Sequence, residues 1–314
     1  MGSHHDILVI GGGMAGLSAA QALAAAGRSV TVLDKGRGPG GRMATRRVES
    51  QGETLRFDHG AQYFTARDPA FRAVVAAWER DGIAASWPAA GEEAWVGTPG
   101  MNTCVKAMAE ALDVRWGVRA ERLTRSAGLW QVIAAGQVFT ASTLIVAVPA
   151  EQAAVLLADI APPFAALAAG VASAPCWAVM ASFAERLPLA DTFRSDTAPV
   201  SWAARNSAKP GRGGPETWVI HASPARSRKL IDLPKDEVAR TILADFFAAT
   251  GTASTLPQHL DAHRWLYAQP EARKGGEGAH FDAALGLGVA GDWLQSPRIE
   301  GAWLSGRALA ALVD

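Results

Sequence analysis

Cysteine is scarce. Cys104 and Cys176 are the only two in 314 residues, and their separation matches no metal-ligand spacing. A disulfide scaffold is therefore excluded, and a reduced cytoplasmic setting is expected. Net charge is also missing, because 30 Lys and Arg balance 30 Asp and Glu. A nucleic-acid binder carries a basic excess, so no nucleic-acid partner is expected. No apolar run approaches the roughly 18 residues of a membrane span, so no membrane association is expected. The opening "MGSHHDILVIGGG" lacks the pattern of a signal peptide. Met1 to His5 are set aside from the fold assignment. Lysine is rare, at six of the 30 basic residues, a bias that base composition alone can produce. No Ser-His-Asp or metal-ligand constellation is present, and there is no internal repeat.

Glycine and tryptophan are plentiful, at 32 and 11 residues. Tryptophan suits aromatic-walled pockets as well as ordinary cores. Asp6–Ile10 is a short apolar run that predicts a buried strand. "GGGMAG" follows, then the alanine-rich Leu17 to Gly27, which predicts a helix ending at a glycine. Ser29 to Asp34 is β-branched and predicts a second strand. Strand, turn, helix and strand within about 30 residues make a βαβ unit. Later, "LWQVIAAGQVFTASTLIVAVPA" predicts a hairpin and then a buried strand, Leu144–Val148. Ala284 to Trp293 predicts a strand running into a Gly-Asp turn, and Gly301 to Val313 a helix. The middle differs in texture, with strand-like "CWAVMASFA" and "TWVIHASPA" and the amphipathic "KDEVARTILADFFAAT". The fold class is thus α/β, a Rossmann-like domain with an inserted α+β domain. The expected division is 6–67, 100–150 and 282–314 for the Rossmann-like domain, and 68–99 and 151–281 for the inserted substrate domain.

Gly11-x-Gly13-x-x-Gly16 supplies a tight turn, a close approach to a pyrophosphate and close helix–strand packing. The following helix aims its N–H groups and dipole at the phosphate. Asp34, 18 residues after Gly16, is placed to accept from a ribose hydroxyl. A tight turn without a ligand is the plain alternative. Next comes "KGRGPGGRMATRR". Its glycines let backbone pass close to a bulky cofactor, and Arg42 either pairs with a pyrophosphate oxygen or supports a flavin. Near the other end, Gly291-Asp292 can bring a carboxylate to a ribityl chain. The Gly301 helix can aim N–H groups at a flavin carbonyl. Together these features imply FAD rather than NAD as resident cofactor.

The order GxGxxG, acid, "GGR" and late "GD" resembles the flavin amine-oxidase superfamily. Within it, "GRMATRR", "FDHGAQYFTARD", "WAARNSAKPGR", "WVIHASPARS", "HRWLYAQP" and "GVAGDWL" resemble renalase-like proteins. That resemblance implies a p-hydroxybenzoate-hydroxylase-like fold with noncovalent FAD. The implied reaction is oxidation of 2- or 6-dihydro isomers of NAD(P) to NAD(P)⁺, with molecular oxygen reduced to hydrogen peroxide. It also implies a cofactor set of Gly11, Gly13, Met14, Ala15, Gly16, Asp34, Lys35, Gly41, Arg42, His59, Gly60, Ala61, Asp292, Ile299, Glu300, Gly301 and Ala302, with Val118 at the adenine. "HGAQYF" is expected to pass from the flavin edge into the substrate site.

A dihydropyridine needs no general base, because hydride loss gives an aromatic ring. Candidate substrate contacts follow from that chemistry. Gln62, Tyr63 and Asn206 can orient a carboxamide, and Tyr63, Phe64, Trp202 and Trp293 can wall the ring. Arg205 either pairs with a substrate phosphate or sits on the surface. His221 is either a substrate contact or a satisfied core group. Thr98 either reaches the pocket or makes a turn, and His59 either meets the flavin or holds its own turn. Oxidation of a small amine is the rival reaction, and a flavin-bound sensor without turnover is a third possibility.

Overall fold

The computed structural model describes residues 3–50, 52–271 and 277–313. Two sheets organise them. The larger has eight strands. Its parallel centre runs Leu287–Ala290, Gln137–Val146, Ser3–Ile10, Val30–Asp34 and Asp113–Trp116. Ala279–Asp282 adds antiparallel to Leu287–Ala290, and the Ala120–Ser126 and Leu129–Ala134 strands add antiparallel through Gln137–Val146. The central strands are buried on both faces, which is why they are continuous runs of Ile, Leu and Val.

Several boundaries differ from the sequence expectation. The first strand begins at Ser3, because the Ser3–His5 backbone pairs with Phe139–Ala141. The first helix is Met14–Ala25, so the last residues of the glycine motif are already helical. The hairpin arm and the buried strand merge into one ten-residue strand, Gln137–Val146, ending two residues before Val148. The late strand is only Leu287–Ala290, and the Gly-Asp turn opens directly into the short helix Asp292–Gln295. The last described helix starts at Ile299.

Helix Ile299–Val313 packs on helix Met14–Ala25 at very short range. A Cβ at Gly306 would meet the Ala15 carbonyl and Ser18 Cβ, so only glycine fits there. Ser18 Oγ donates to Trp303 O at 2.8 Å across the same contact.

The second sheet is antiparallel, in the order Thr192–Arg194, Val200–Arg205, Glu216–Ala222, Ser173–Phe183 and His259–Pro270. Side chains alternate between its faces with period two. Trp177, Val179, Ala181, Trp218 and Ile220 pack on Val238, Ile242 and Phe246 of helix Lys235–Thr250. Met180 and Val219 face the other way, onto Leu55 and Phe57 of the hairpin formed by Thr45–Ser50 and Glu53–Asp58. That hairpin leads from the cofactor loop to the second sheet. His221, two residues beyond Val219, shares its face and so points toward the gap between the sheets.

Candidate cofactor and substrate site

The glycine turn follows strand Ser3–Ile10. Gly11 has φ +111°, and a Cβ there would strike the Ala147 carbonyl. A Cβ on Gly16 would strike the Gly11 carbonyl, so helix and turn can touch only through glycine. Gly13 has open space above it and lines a cavity of about 700 Å³. Met14 and Ala15 begin the helix on the same wall, with their N–H groups at its positive end. A cradle closed below by glycines and open above fits a pyrophosphate.

Asp34 ends the second strand. Its Oδ2 accepts from Gly12 N at 2.7 Å and its Oδ1 from Gly36 N at 2.6 Å. Each oxygen keeps a further lone pair for a ribose hydroxyl. Val118 N donates to the Asp34 carbonyl at 2.8 Å, which puts Val118 beside the ribose acid. Lys35 turns away to Gln152 Oε1 at 3.0 Å.

Arg42 sits on the cavity wall after the turn at Gly40 and Gly41, both with positive φ. Its guanidinium grips Asp292 by two bonds, Nη1 to Oδ2 at 2.8 Å and Nη2 to Oδ1 at 2.7 Å. The early loop and the late Gly-Asp turn are thereby joined where a flavin nucleotide's linker would pass. Pro297, Arg298, Ile299 and Ala302, at the start of the last helix, close that end.

The "DHGAQYF" segment passes along the opposite wall. Gly60, Ala61, Gln62, Tyr63 and Phe64 line the cavity with Trp202 and His221. Tyr63 and Trp202 lie with ring centroids 5.3 Å apart. Arg194 adds a third member, donating to Tyr63 Oη at 2.5 Å and standing 5.0 Å over the Trp202 ring. Behind the wall is a buried charge cluster. Asp58, with no exposed surface, meets Lys209 Nζ at 3.2 Å and Arg212 Nη2 at 2.5 Å. It also accepts from Thr45 Oγ1 at 2.7 Å and Met101 N at 3.0 Å. Burial alone would raise the Asp58 pKa, but the Lys209 and Arg212 charges and these two donors hold it well below the usual carboxylate range. Burial lowers Lys209 to about 8, against the pull of Asp58.

Some candidates lie away from the cavity. Gly11, Gly16 and Gly41 shape the turns, and Gly301 packs under Ser296, which leaves no room for a Cβ. Glu300 ties down a loop by accepting from Arg67 N at 2.6 Å and Asp68 N at 2.7 Å. His59 is buried under Trp265, with rings 5.2 Å apart. Burial, with His263 and Arg46 nearby, pushes its pKa down to about 3.

Four substrate candidates stand apart from the wall. Arg205 is fully buried and neither faces solvent nor a phosphate; Asp191 at 2.7 Å, Glu216 and two carbonyls use its guanidinium. Asn206 is buried too. Its Oδ1 accepts from Asp58 N at 3.2 Å and its Nδ2 donates to Arg56 O at 2.8 Å, and the residue does not line the cavity. Trp293 turns inward and donates to Val148 O at 3.1 Å. Thr98 precedes a cis proline and packs against Gly211.

Several wall residues escaped sequence reasoning. Trp265 falls inside the quoted "HRWLYAQP", where strand alternation with His263 offered a signal. Cys176 lines the wall as an inert thiol, pushed up to about 12 by burial. Arg67, Arg194 and Arg298 carried no local signal. Among the described residues, no cluster of potential metal ligands occurs and no helix is long and apolar enough to cross a membrane.

Comparison with known proteins bears on the family and the fold. Residues 9–78 match the NAD(P)-binding Rossmann-like domain, and residues 89–314 match the family described as flavin containing amine oxidoreductase. A stretch of 46 residues is 52% identical to an L-amino-acid oxidase of Daboia russelii, covering 15% of this chain and 9% of that relative's length. Among solved structures, a putative protoporphyrinogen oxidase from Exiguobacterium sp. superposes with a TM-score of 0.76 at 12% identity, covering 100% of this chain and 99% of the other. Putrescine oxidase bound to putrescine superposes with 0.72 at 16% identity, with the same coverage. Cyclohexylamine oxidase from Brevibacterium oxydans does so with 0.71 at 14% identity, covering 98% of each chain.

Proposed function

The chain belongs to the flavin-containing amine oxidoreductase family, with FAD as its cofactor, and from that premise we propose that it oxidises dihydronicotinamide dinucleotides in the renalase-like manner. The substrate is a 2- or 6-dihydro isomer of NAD(P), and the product is NAD(P)⁺. The FAD is noncovalent, the fold is p-hydroxybenzoate-hydroxylase-like, and the two sheets mark the cofactor and substrate domains.

The wall's charge carries this reading. Among the described residues, Arg42, Arg67, Arg194 and Arg298 line the cavity against a single carboxylate, Asp292, which Arg42 already occupies. A cationic amine finds no free carboxylate there, whereas a dinucleotide brings phosphates. Only the pyridine ring has to enter. Tyr63 and Trp202, already in contact with each other, can wall it on one side, while Arg194 meets a phosphate at the mouth. Bound FAD supplies the hydride acceptor and passes the electrons to oxygen, giving hydrogen peroxide. Tyr63, Phe64 and Trp202 would hold the ring against the bound cofactor in near-attack range. No side chain has to remove a proton, because the ring becomes aromatic as hydride leaves.

Oxidation of a small amine is the second reading, favoured by the names of the solved neighbours. Anaerobic mixing separates the two. Dihydro-NAD isomers are expected to bleach the flavin absorbance rapidly. Bleaching by amines alone refutes the proposal, and bleaching by neither leaves a flavin-bound sensor.

A further inference from the structure

We infer that His221 reads the amide of the substrate, presenting a bare Nδ1 to the cavity as acceptor for a carboxamide N–H. The substrate's identity rests on the dinucleotide proposal above; the ring's orientation rests on the geometry of its neighbours.

Gln62 comes first. Its Nε2 faces two carbonyls, Asp58 O and Gly60 O, the second at 3.0 Å. Its Oε1 faces the Lys209 ammonium at 3.2 Å. Carbonyls only accept and an ammonium only donates, so the amide has one orientation. Both of its hydrogens are committed. His221 Nε2 lies 3.4 Å from Gln62 Nε2 and 3.3 Å from His59 O. Gln62 has no hydrogen left for it, so His221 Nε2 must carry its own and donate to His59 O. That carbonyl also accepts from Trp265 Nε1 at 2.8 Å, which uses its second lone pair. Burial, reinforced by the Lys209 charge against the pull of the His59 carbonyl, lowers the His221 pKa to about 4, so the ring is neutral.

A neutral imidazole with its proton on Nε2 has a free lone pair on Nδ1. This nitrogen has no protein partner among the described residues, and the ring lines the cavity opposite Trp202 in the strand register. Ser201 Oγ is occupied with the His221 carbonyl at 3.4 Å and does not compete for it. The sequence offered Gln62, Tyr63 and Asn206 for carboxamide recognition, but the Gln62 amide is spent on the protein, Asn206 does not line the cavity, and the Tyr63 hydroxyl is engaged by Arg194. His221 Nδ1 remains free as an acceptor on this wall. A primary carboxamide satisfies it. A carboxylate in the same place would set lone pair against lone pair.

The test uses holoenzyme and two product-like probes, NAD⁺ and nicotinic acid adenine dinucleotide, titrated through the flavin absorbance. Wild-type protein should prefer the amide by tenfold or more. His221→Leu should reduce the preference to within twofold, and His221→Asn, whose Oδ1 stands near Nδ1, should recover most of it. Histidine ¹⁵N spectra at pH 7 should show the proton of His221 on Nε2. A proton on Nδ1, equal affinities in wild type, or an unchanged preference in His221→Leu overturns the inference. Equal affinities alongside oxidation of the dihydro isomers leave the proposed function intact. Failure of wild type to bind either probe overturns that function, and this recognition role with it.

Discussion

Asp58→Asn removes one negative charge from the cluster behind the cavity while keeping shape and one acceptor oxygen. Asp58 and Lys209 are fully buried, and the Arg212 side chain is 2% exposed. The variant strands two cations in the interior. Breaking a buried pair by removing one partner costs about 3–5 kcal/mol. Lys209 softens the blow. Its pKa is already down to about 8, and it falls further once Asp58 no longer raises it. At pH 7 the lysine can then shed its proton, which places the cost near the low end, about 3 kcal/mol. Arg212 has no such escape. Guanidinium unfolding of the holoenzyme should show that loss, and a thermal melt a drop of roughly 4–5 °C at this chain length. Lys209→Met should cost less, because Asp58 keeps Arg212, Thr45 and Met101. The double variant should cost less than the sum of the singles, since it removes matched charges. A loss below about 1 kcal/mol for Asp58→Asn, or strict additivity, would refute the matched-cluster account.

Three further outcomes are expected. Arg42→Ala frees Asp292 and opens the loop, so flavin affinity should fall tenfold or more; an undiminished flavin-to-protein absorbance ratio in purified variant contradicts this. Gly16→Ala places a methyl on the Gly11 carbonyl, so purified protein should be nearly flavin-free and less heat-stable; normal flavin content would show that the turn can yield. Stability should also fall in mild acid. His59 and His221 are held neutral, at about 3 and about 4, against 6.5 unfolded. The unfolded chain therefore binds more protons below pH 6.5, so stability is full above that value and declines toward pH 4 by up to about 1.4 kcal/mol per pH unit for each histidine. Unfolding midpoints that do not change between pH 7 and 5 would contradict the assignment.

Local signals carried the half of the candidate site that we propose holds the cofactor. The glycine turn, Asp34 and Arg42 each lie within a few residues of the element that explains them, and Asp292 follows its strand directly. Period-two alternation likewise explains why His221 faces the cavity while Trp218 and Ile220 face the helix. Distant partners defeated the rest. Arg205 lies in a segment with an ordinary surface composition, yet Asp191, just before strand Thr192–Arg194, and Glu216 of the neighbouring strand close over it. "KPGRGG" has the composition of a solvated loop, but its Lys209 and Arg212 meet an aspartate about 150 positions earlier. Trp293 has the size of a pocket wall, yet its indole N–H found the Val148 carbonyl in the core instead. Burial of a charge depends on what folds over it, and spacing along the chain does not report that.

The seam between Arg42 and Asp292 also sets a timetable for biogenesis. The second sheet uses strands from Ser173 to Pro270 and can pair as soon as that stretch has left the ribosome. The first sheet has to wait. Strand Gln137–Val146 gains its partner Leu287–Ala290 about 140 residues later, and the cavity gains its last wall with helix Ile299–Val313. Synthesis at about 5–20 residues per second makes that a delay of roughly 7–30 seconds. During it, the cavity lacks both the Asp292 turn and the wall that the last helix supplies. Flavin is therefore captured after translation has passed this region, and a nascent chain halted before Asp292 should emerge colourless.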